Sequence, residues 1–304
     1  MIKSITVTNY LGESIKLDLA RPELSGFAVK SITGLGPGKA DINTTEVSTM
    51  DGDLFNSSRL SSRNIVISLK FLWKDTVEDV RHLSYKYFPI KKKVTLLIET
   101  DNRTAEIEGY VESNDPNIFN NSEGSEISII CPNPYFHSAG ESGVSTTNFS
   151  GVEALFEFPF SNESLTENLL EFGSIENKTE QVITYDGDAE NGITIIMHAI
   201  GDVDNITIYS IKTRESMRID TDKLAAFTGS SIVAGDEITI CTVKGRKSIT
   251  LLRDGEEINI LNCLDKNTKW FELTKGDNIF AYTAEYGSSN LQFRIEHQTL
   301  YEGV

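Results

Sequence analysis

Few residues in this 304-residue sequence stand in the patterns that chemistry requires. The four histidines, His82, His137, His198 and His297, lie far apart, without the HxH or HExxH spacing that brings two imidazoles to one metal. The three cysteines, Cys131, Cys241 and Cys263, form no CxxC pair, and their odd number fits reduced thiols better than a disulfide framework. No GxSxG elbow and no Walker pattern occurs. Gly34-Leu35-Gly36-Pro37-Gly38 has the look of a phosphate loop. Pro37, however, removes a backbone donor and no amphipathic helix follows, so the anion-binding geometry is missing. Asp186, Asp188 and Glu190 set carboxylates at alternate positions as a calcium loop does, yet the later bidentate glutamate is lacking. An Asp-Gly turn between two strands accounts for them more simply. A glycoside hydrolase would need two facing carboxylates, and no pair is singled out. The reading is therefore no catalytic residue, no metal ligand and no cofactor.

Aromatic residues offer binding rather than catalysis. Trp270, Tyr282 and Tyr286 could stack on sugar rings and are the candidate carbohydrate contacts. Sandwich core is the favoured role, because these aromatics follow strand period and not loop positions. Hydrophobic residues make up 39% and charged residues 24%, enough for ordinary cores, and no stretch approaches the roughly 20 apolar residues of a membrane span. The opening residues Met1 to Thr6 alternate apolar and polar and lack a signal-peptide apolar core, so nothing is expected to direct the chain across a membrane. The net charge of −17 is uneven. Residues 1–140 hold 15 Lys+Arg against 18 Asp+Glu, a net of −3, and residues 141–304 hold 13 against 27, a net of −14. An acidic surface repels phosphate backbones, which argues against nucleic acid as a partner.

The elements that must position these residues are mostly strands. Residues 2–8 and 13–19 alternate with period two and read as a hairpin; further strands are expected at 64–73, 94–100, 103–111 and 125–131. Asp75-Thr76 caps a helix whose apolar residues Val77, Val80, Leu83, Tyr87 and Phe88 run up to Pro89. Pro132 and Pro134 close the first domain, residues 1–137, and the small polar stretch 138–151 is the expected linker. Residues 152–304 read as a second domain of short strands parted by Gly, Asp and Asn turns. Strands are expected at 154–160, 181–185, 192–199, 205–211, 215–219, 236–243, 247–253, 256–261, 269–273, 278–284 and 289–298, with no conventional helix. Such spacing suits a β-sandwich of jelly-roll type.

Between these strands lies a polar tract from Ser31 to Asn64, too long for an ordinary loop and too poor in apolar residues to bury itself. Flanked by strands, it can project as a hairpin arm that becomes ordered along a neighbour's sheet edge, and head-to-tail contacts of that kind close into rings. Disorder is the competing state of so polar a composition. If the tract is an arm, removing residues 34–60 leaves both domains folded.

The N-terminal half resembles the siphovirus-type tail component family, the distal tail proteins of phages and prophages of Gram-positive bacteria. The likeness rests on the glycine-containing tract, Met50-Asp51-Gly52-Asp53-Leu54-Phe55, Arg59 and Arg63 before Ile65-Val66-Ile67-Ser68-Leu69, the short helix, and Cys131-Pro132-Asn133-Pro134-Tyr135-Phe136. In the second half it rests on Tyr185-Asp186-Gly187-Asp188, Gly192-Ile193-Thr194-Ile195, Trp270-Phe271-Glu272-Leu273, Gly276-Asp277-Asn278-Ile279 and Leu300-Tyr301-Glu302-Gly303-Val304. The resemblance implies a mostly β chain: an N-terminal β-sandwich or barrel-like domain with one helix and a long β-hairpin arm (about 31–64), then a galectin-like or jelly-roll β-sandwich. It implies a non-enzymatic baseplate hub in a virion tail tip, assembled in the host bacterial cytoplasm. N-terminal domains would form a homohexameric ring between the tail tube protein and the tail-associated hub protein, with the tape-measure protein and host cell-wall glycan as further partners. Gly34, Gly36, Gly38, Asp51, Gly52, Phe55, Arg59 and Arg63 are the candidate interface residues. The alternative function is a carbohydrate-binding host-adhesion module in the C-terminal sandwich, and the tail type stays open.

Overall fold

Which face of each strand is buried follows from the alternation of branched apolar with polar residues. In the run Arg63-Asn64-Ile65-Val66-Ile67-Ser68-Leu69-Lys70-Phe71, every odd-numbered residue is buried. The computed structural model describes residues 1–49, 51–72, 76–119, 122–140, 143–153, 174–177 and 179–304. Met50, Asp75 and the strand expected at 154–160 lie outside the described residues. The chain divides into two units, Met1–Gly143 with Leu300–Val304, and Val144–Thr299.

The first unit holds β1 (Ile2–Asn9), β2 (Ser14–Asp18), β3 (Phe27–Thr33), β4 (Ala40–Glu46), β5 (Asp53–Leu60), β6 (Arg63–Phe71), β7 (Lys93–Thr100), β8 (Thr104–Pro116), β9 (Gly124–Cys131) and β10 (Phe136–Ser138). One antiparallel sheet runs β2-β1-β7-β8-β9-β6-β3, with β10 added to β8 and the strand Leu300–Tyr301 added to β10. Its two edges, β2 and β3, approach one another, so the sheet curls in a barrel-like way around Val7, Phe27, Ile67, Phe71, Val94, Ile107 and Ile129. Helix α1 (Val77–Tyr87) lays Val77, Val80, Leu83 and Tyr87 against that core. Its first turn is capped by Thr76, whose Oγ1 accepts from the Asp79 amide at 3.2 Å. The strands β4 and β5 pair only with each other.

The second unit holds β11 (Ser145–Asn148), β12 (Ser150–Glu153), β13 (Ser174–Asn177), β14 (Glu180–Tyr185), β15 (Asn191–Gly192), β16 (Thr194–Ala199), β17 (Asp204–Ser210), β18 (Glu215–Arg218), β19 (Glu237–Cys241), β20 (Ser248–Arg253), β21 (Glu256–Asn259), β22 (Glu272–Leu273), β23 (Gly276–Tyr286) and β24 (Leu291–His297). A six-stranded sheet, β11-β24-β16-β19-β20-β21, and a four-stranded sheet, β14-β23-β17-β18, turn their apolar rows into one core. Ile195, Met197, Ile240 and Phe293 come from the first sheet, and Ile183, Ile208, Phe280 and Tyr282 from the second. This is the sandwich that the strand spacing predicts.

Three expectations need correction. Residues Thr221–Thr228 form a helix, α2, where the strand pattern leaves none: Asp220 caps it by accepting from the Lys223 amide, and Gly229 ends it in the left-handed region at φ 88°. Ser145–Asn148, placed in the linker, is a sandwich strand paired with β24. Leu300–Val304, assigned to the second domain, belongs to the first unit.

In the second unit, the segment after α2 is fixed by Arg253. Its Nε and Nη2 donate to both carboxylate oxygens of buried Asp236 (2.8 and 2.5 Å), while other N–H groups reach Ser230 Oγ and the Ser231 carbonyl. A bidentate pair of this kind destabilises strongly when one partner alone is removed. Arg253→Met is expected to lose about 3–5 kcal/mol in urea unfolding, because Asp236 stays buried without its cation. A loss under about 1 kcal/mol would show the pair to be dispensable.

Candidate functional site: an arm and its anchor

Every described residue of β4 and β5 is exposed except half-buried Leu60. The hairpin is held by its own ladder and by cross-strand side chains: Asn43 to Ser57 at 3.1 Å, Thr44 to Asp53 at 2.9 Å, Asn56 to Thr45 at 2.6 Å, and Arg59 beside Asp41 at 3.5 Å. Most of its apolar surface is left uncovered by the chain itself, Ile42 being 63% exposed and Phe55 65%. A two-stranded hairpin without a buried face is marginal in water. Both long edges also carry unpaired backbone groups that a further strand could satisfy.

The root is the opposite. Arg63 is only 6% exposed, because it sits on the inward row of β6. Its guanidinium donates to four backbone carbonyls: Gly34 at 2.6 Å, Gly36 at 2.5 Å, Pro134 at 2.7 Å and Glu302 at 2.6 Å. It also lies 4.7 Å over the Phe136 ring. Burial pulls the Arg63 pKa down, opposed by the nearby Cys131 thiol and Glu302 carboxylate. Gly34 begins the root at φ +84°, and a Cβ there would lie 2.1 Å from the Asn64 carbonyl oxygen, so only glycine fits. Leu35 is buried in the core.

The predicted interface residues therefore separate. Asp51, Gly52, Phe55 and Arg59 are on the exposed hairpin. Gly34, Gly36 and Arg63 are anchor residues whose groups are engaged within the first unit, and Gly38 stands beside Leu60 and Arg63. Sequence reasoning missed Leu35, Pro134, Phe136 and the segment Leu300–Val304 as parts of the root.

The other candidates fare differently. Tyr282 is core, 3% exposed and stacked on Phe293 at 4.7 Å, and is removed from the sugar contacts. Trp270 is half-buried against the core with the Lys247 ammonium 5.5 Å from its ring, and Tyr286 is exposed. His297 is buried against Tyr185, and burial pulls its pKa down. Burial pushes the Cys131 thiol up to about 11, which suits an inert core thiol and not a nucleophile. Among the described residues no cluster of three or more His, Cys, Asp or Glu side chains is placed to hold a metal.

Two outcomes follow from this geometry. The removable arm is shorter than 34–60, since Leu35 and the Gly34 and Gly36 carbonyls are built into the root. Replacing 41–59 by a short turn is expected to change stability by less than about 1 kcal/mol in thermal unfolding, as surface segments do; outright unfolding would make the hairpin part of the core. Arg63→Lys, which keeps the charge but not the planar fork, is expected to lose about 3 kcal/mol, since several charge-assisted bonds go at once. Wild-type stability in that variant would show the anchor to be incidental.

No family model matches the sequence, and no curated protein matches it. Among solved structures, the chain is similar to the SPP1 Dit protein, described as a paradigm of the hub adsorption apparatus in phages infecting Gram-positive bacteria. The match has 11% identity and a TM-score of 0.65, over 97% of this chain and 98% of that one. A chain of the phage P2 baseplate in its activated conformation with Ca matches at 11% identity and a TM-score of 0.49, over 98% of each. Over nearly its whole length, this chain has the fold of the SPP1 Dit hub protein.

Proposed function

We propose that this chain is a structural, non-enzymatic hub of a phage tail tip, whose first units assemble into a homohexameric ring between the tail tube protein and the tail-associated hub protein. The observation that carries the reading is the exposed β4–β5 hairpin on a rigid root. It is a surface that costs free energy to leave uncovered, and its base is held by the Arg63 bonds to Gly34 and Gly36. A second copy of the chain, offering a sheet edge, covers it by strand addition. Repeated head to tail, that contact closes into a ring when the rotation between copies permits. The likeness in fold to a hub of a phage adsorption apparatus supports the same reading. The tape-measure protein and a host cell-wall glycan would be further partners, and the acidic chain is not suited to nucleic acid.

A second reading, saccharide binding by the sandwich, draws on the outer face of the six-stranded sheet. There a mostly polar pocket is lined by Asn148, His198, Glu237, Gln292 and Arg294, with Ile196 and Phe293 as its apolar members. A glycan array probed with the full chain would support it by selective binding and end it by a flat response.

Native mass spectrometry tests the first reading, with an assembly six times the 33.8 kDa chain as the expected species. Phe55→Asp is expected to weaken that assembly at least about 30-fold, the effect of losing one central anchor, while leaving monomer stability unchanged. A wild-type protein that stays monomeric at high concentration, alone and with the neighbouring tail proteins, overturns the reading.

A further inference from the structure

The segment Leu300–Val304 lies against the first unit, and each of its residues engages that unit. Leu300 is buried and pairs with His137, and Tyr301 pairs with Phe136. The Tyr301 ring packs on the core, under the Arg103 guanidinium at 4.5 Å. The Glu302 carbonyl accepts from Arg63. The Val304 amide donates to the Leu35 carbonyl at 3.1 Å, and Val304 packs on the core.

The bond from Val304 to Leu35 is thus a direct tie to the arm root. Gly303 lies so close that a Cβ would stand 3.1 Å from the Leu35 carbonyl oxygen and 3.2 Å from Gly36 and Pro37. One short segment therefore touches the sheet through β10, the buried cation Arg63, and the stretch Leu35–Pro37 where the arm leaves the sheet.

We propose that Leu300–Val304 is a strap that locks the arm root, so that seating or releasing the strap sets whether the arm is presented in one direction or swings freely. The segment binds as an added strand, by backbone bonds, the buried Leu300 side chain and the partly buried Tyr301 and Val304, which is a mode that can open locally without unfolding the sheet beneath it. With the strap out, Arg63 loses one of its four acceptors and the Leu35 carbonyl loses its donor. The root is then held by the Arg63 bonds to Gly34 and Gly36 and by the buried Leu35 side chain. The peptide bond Thr299–Leu300 joins the strap to the second unit. The consequence for ring formation rests on the assembly reading above; the effect on the root does not.

The test uses the full chain and two variants, a deletion of 300–304 and the milder Gly303→Val. Trypsin reads the root at Lys39, which is exposed in the stretch between Leu35 and β4. Hydrogen exchange reads the ends of β3 and β6, with peptides from β7 and β8 reporting whether the sheet is intact. Both variants are expected to be cut at Lys39 at least about tenfold faster, the change that follows from losing one or two backbone bonds, with β7 and β8 still protected. The free peptide Leu-Tyr-Glu-Gly-Val, added in excess, is expected to slow cutting of the deletion variant. Unchanged cutting and exchange at the root in Gly303→Val, while the strap's own amides become unprotected, overturns the proposal. If β7 and β8 lose protection in both variants, the segment is part of the core and the strap is likewise overturned. A wild-type protein that forms no ring, but whose root loosens in Gly303→Val, supports the strap and overturns the assembly reading.

Discussion

A guanidinium taken out of water must find an acceptor for each of its donors, and those acceptors must lie in its plane. Arg63 directs four of its five N–H donors to backbone carbonyls, those of Gly34, Gly36, Pro134 and Glu302. Because the acceptors come from separate stretches of chain, the one cation fixes the exit of the arm, the turn before β10 and the segment Leu300–Val304 against each other. A hydrophobic residue at this point could pack, but it could not orient three backbone segments. The cost of burying the charge is offset by these bonds together, so the anchor weakens when any one of them is lost.

Beyond the anchor the physical situation reverses. The hairpin has a regular ladder and polar cross-strand contacts, which give it a shape, but it lacks a buried face, which would give it stability. A rigid root and a marginal tip suit a segment whose partner is another molecule: the root limits the orientations to be searched, and the tip keeps its binding surface uncommitted. Ordering entropy that would otherwise weaken the contact is partly removed in advance by the root. The second unit follows a different rule, with a continuous apolar core between two sheets and an internal ion pair.

Much of this was legible in the sequence where side chains alone decide. The alternation in Val94-Thr95-Leu96-Leu97-Ile98 and in Ile65 to Phe71 places strands and faces, and the stretch from Thr76 to Pro89 gives a helix with both its ends. The inward direction of Arg63 follows from the same parity, two residues before Ile65. Its partners did not follow, because backbone carbonyls leave no trace in residue type, and Glu302 lies 239 residues away. The core role favoured for Tyr282 is the one it takes, although both faces of Asn278-Ile279-Phe280-Ala281-Tyr282 carry apolar residues, so alternation alone does not choose between them. Helix α2 is short and turns Phe227 to solvent, which blurs its periodicity, although Asp220 and Gly229 mark its ends.

In the proposed ring the arm owes its order to a neighbouring copy, while its root owes its order to Arg63. Hydrogen exchange of residues 40–60, followed as protein concentration is raised through the assembly transition, tests this most directly. The account predicts rapid exchange of the β4–β5 amides in the monomer and strong protection in the assembled state, with the exchange of β6 unchanged throughout. Equal protection of the hairpin in monomer and assembly would contradict it, since the arm would then be sufficient to itself.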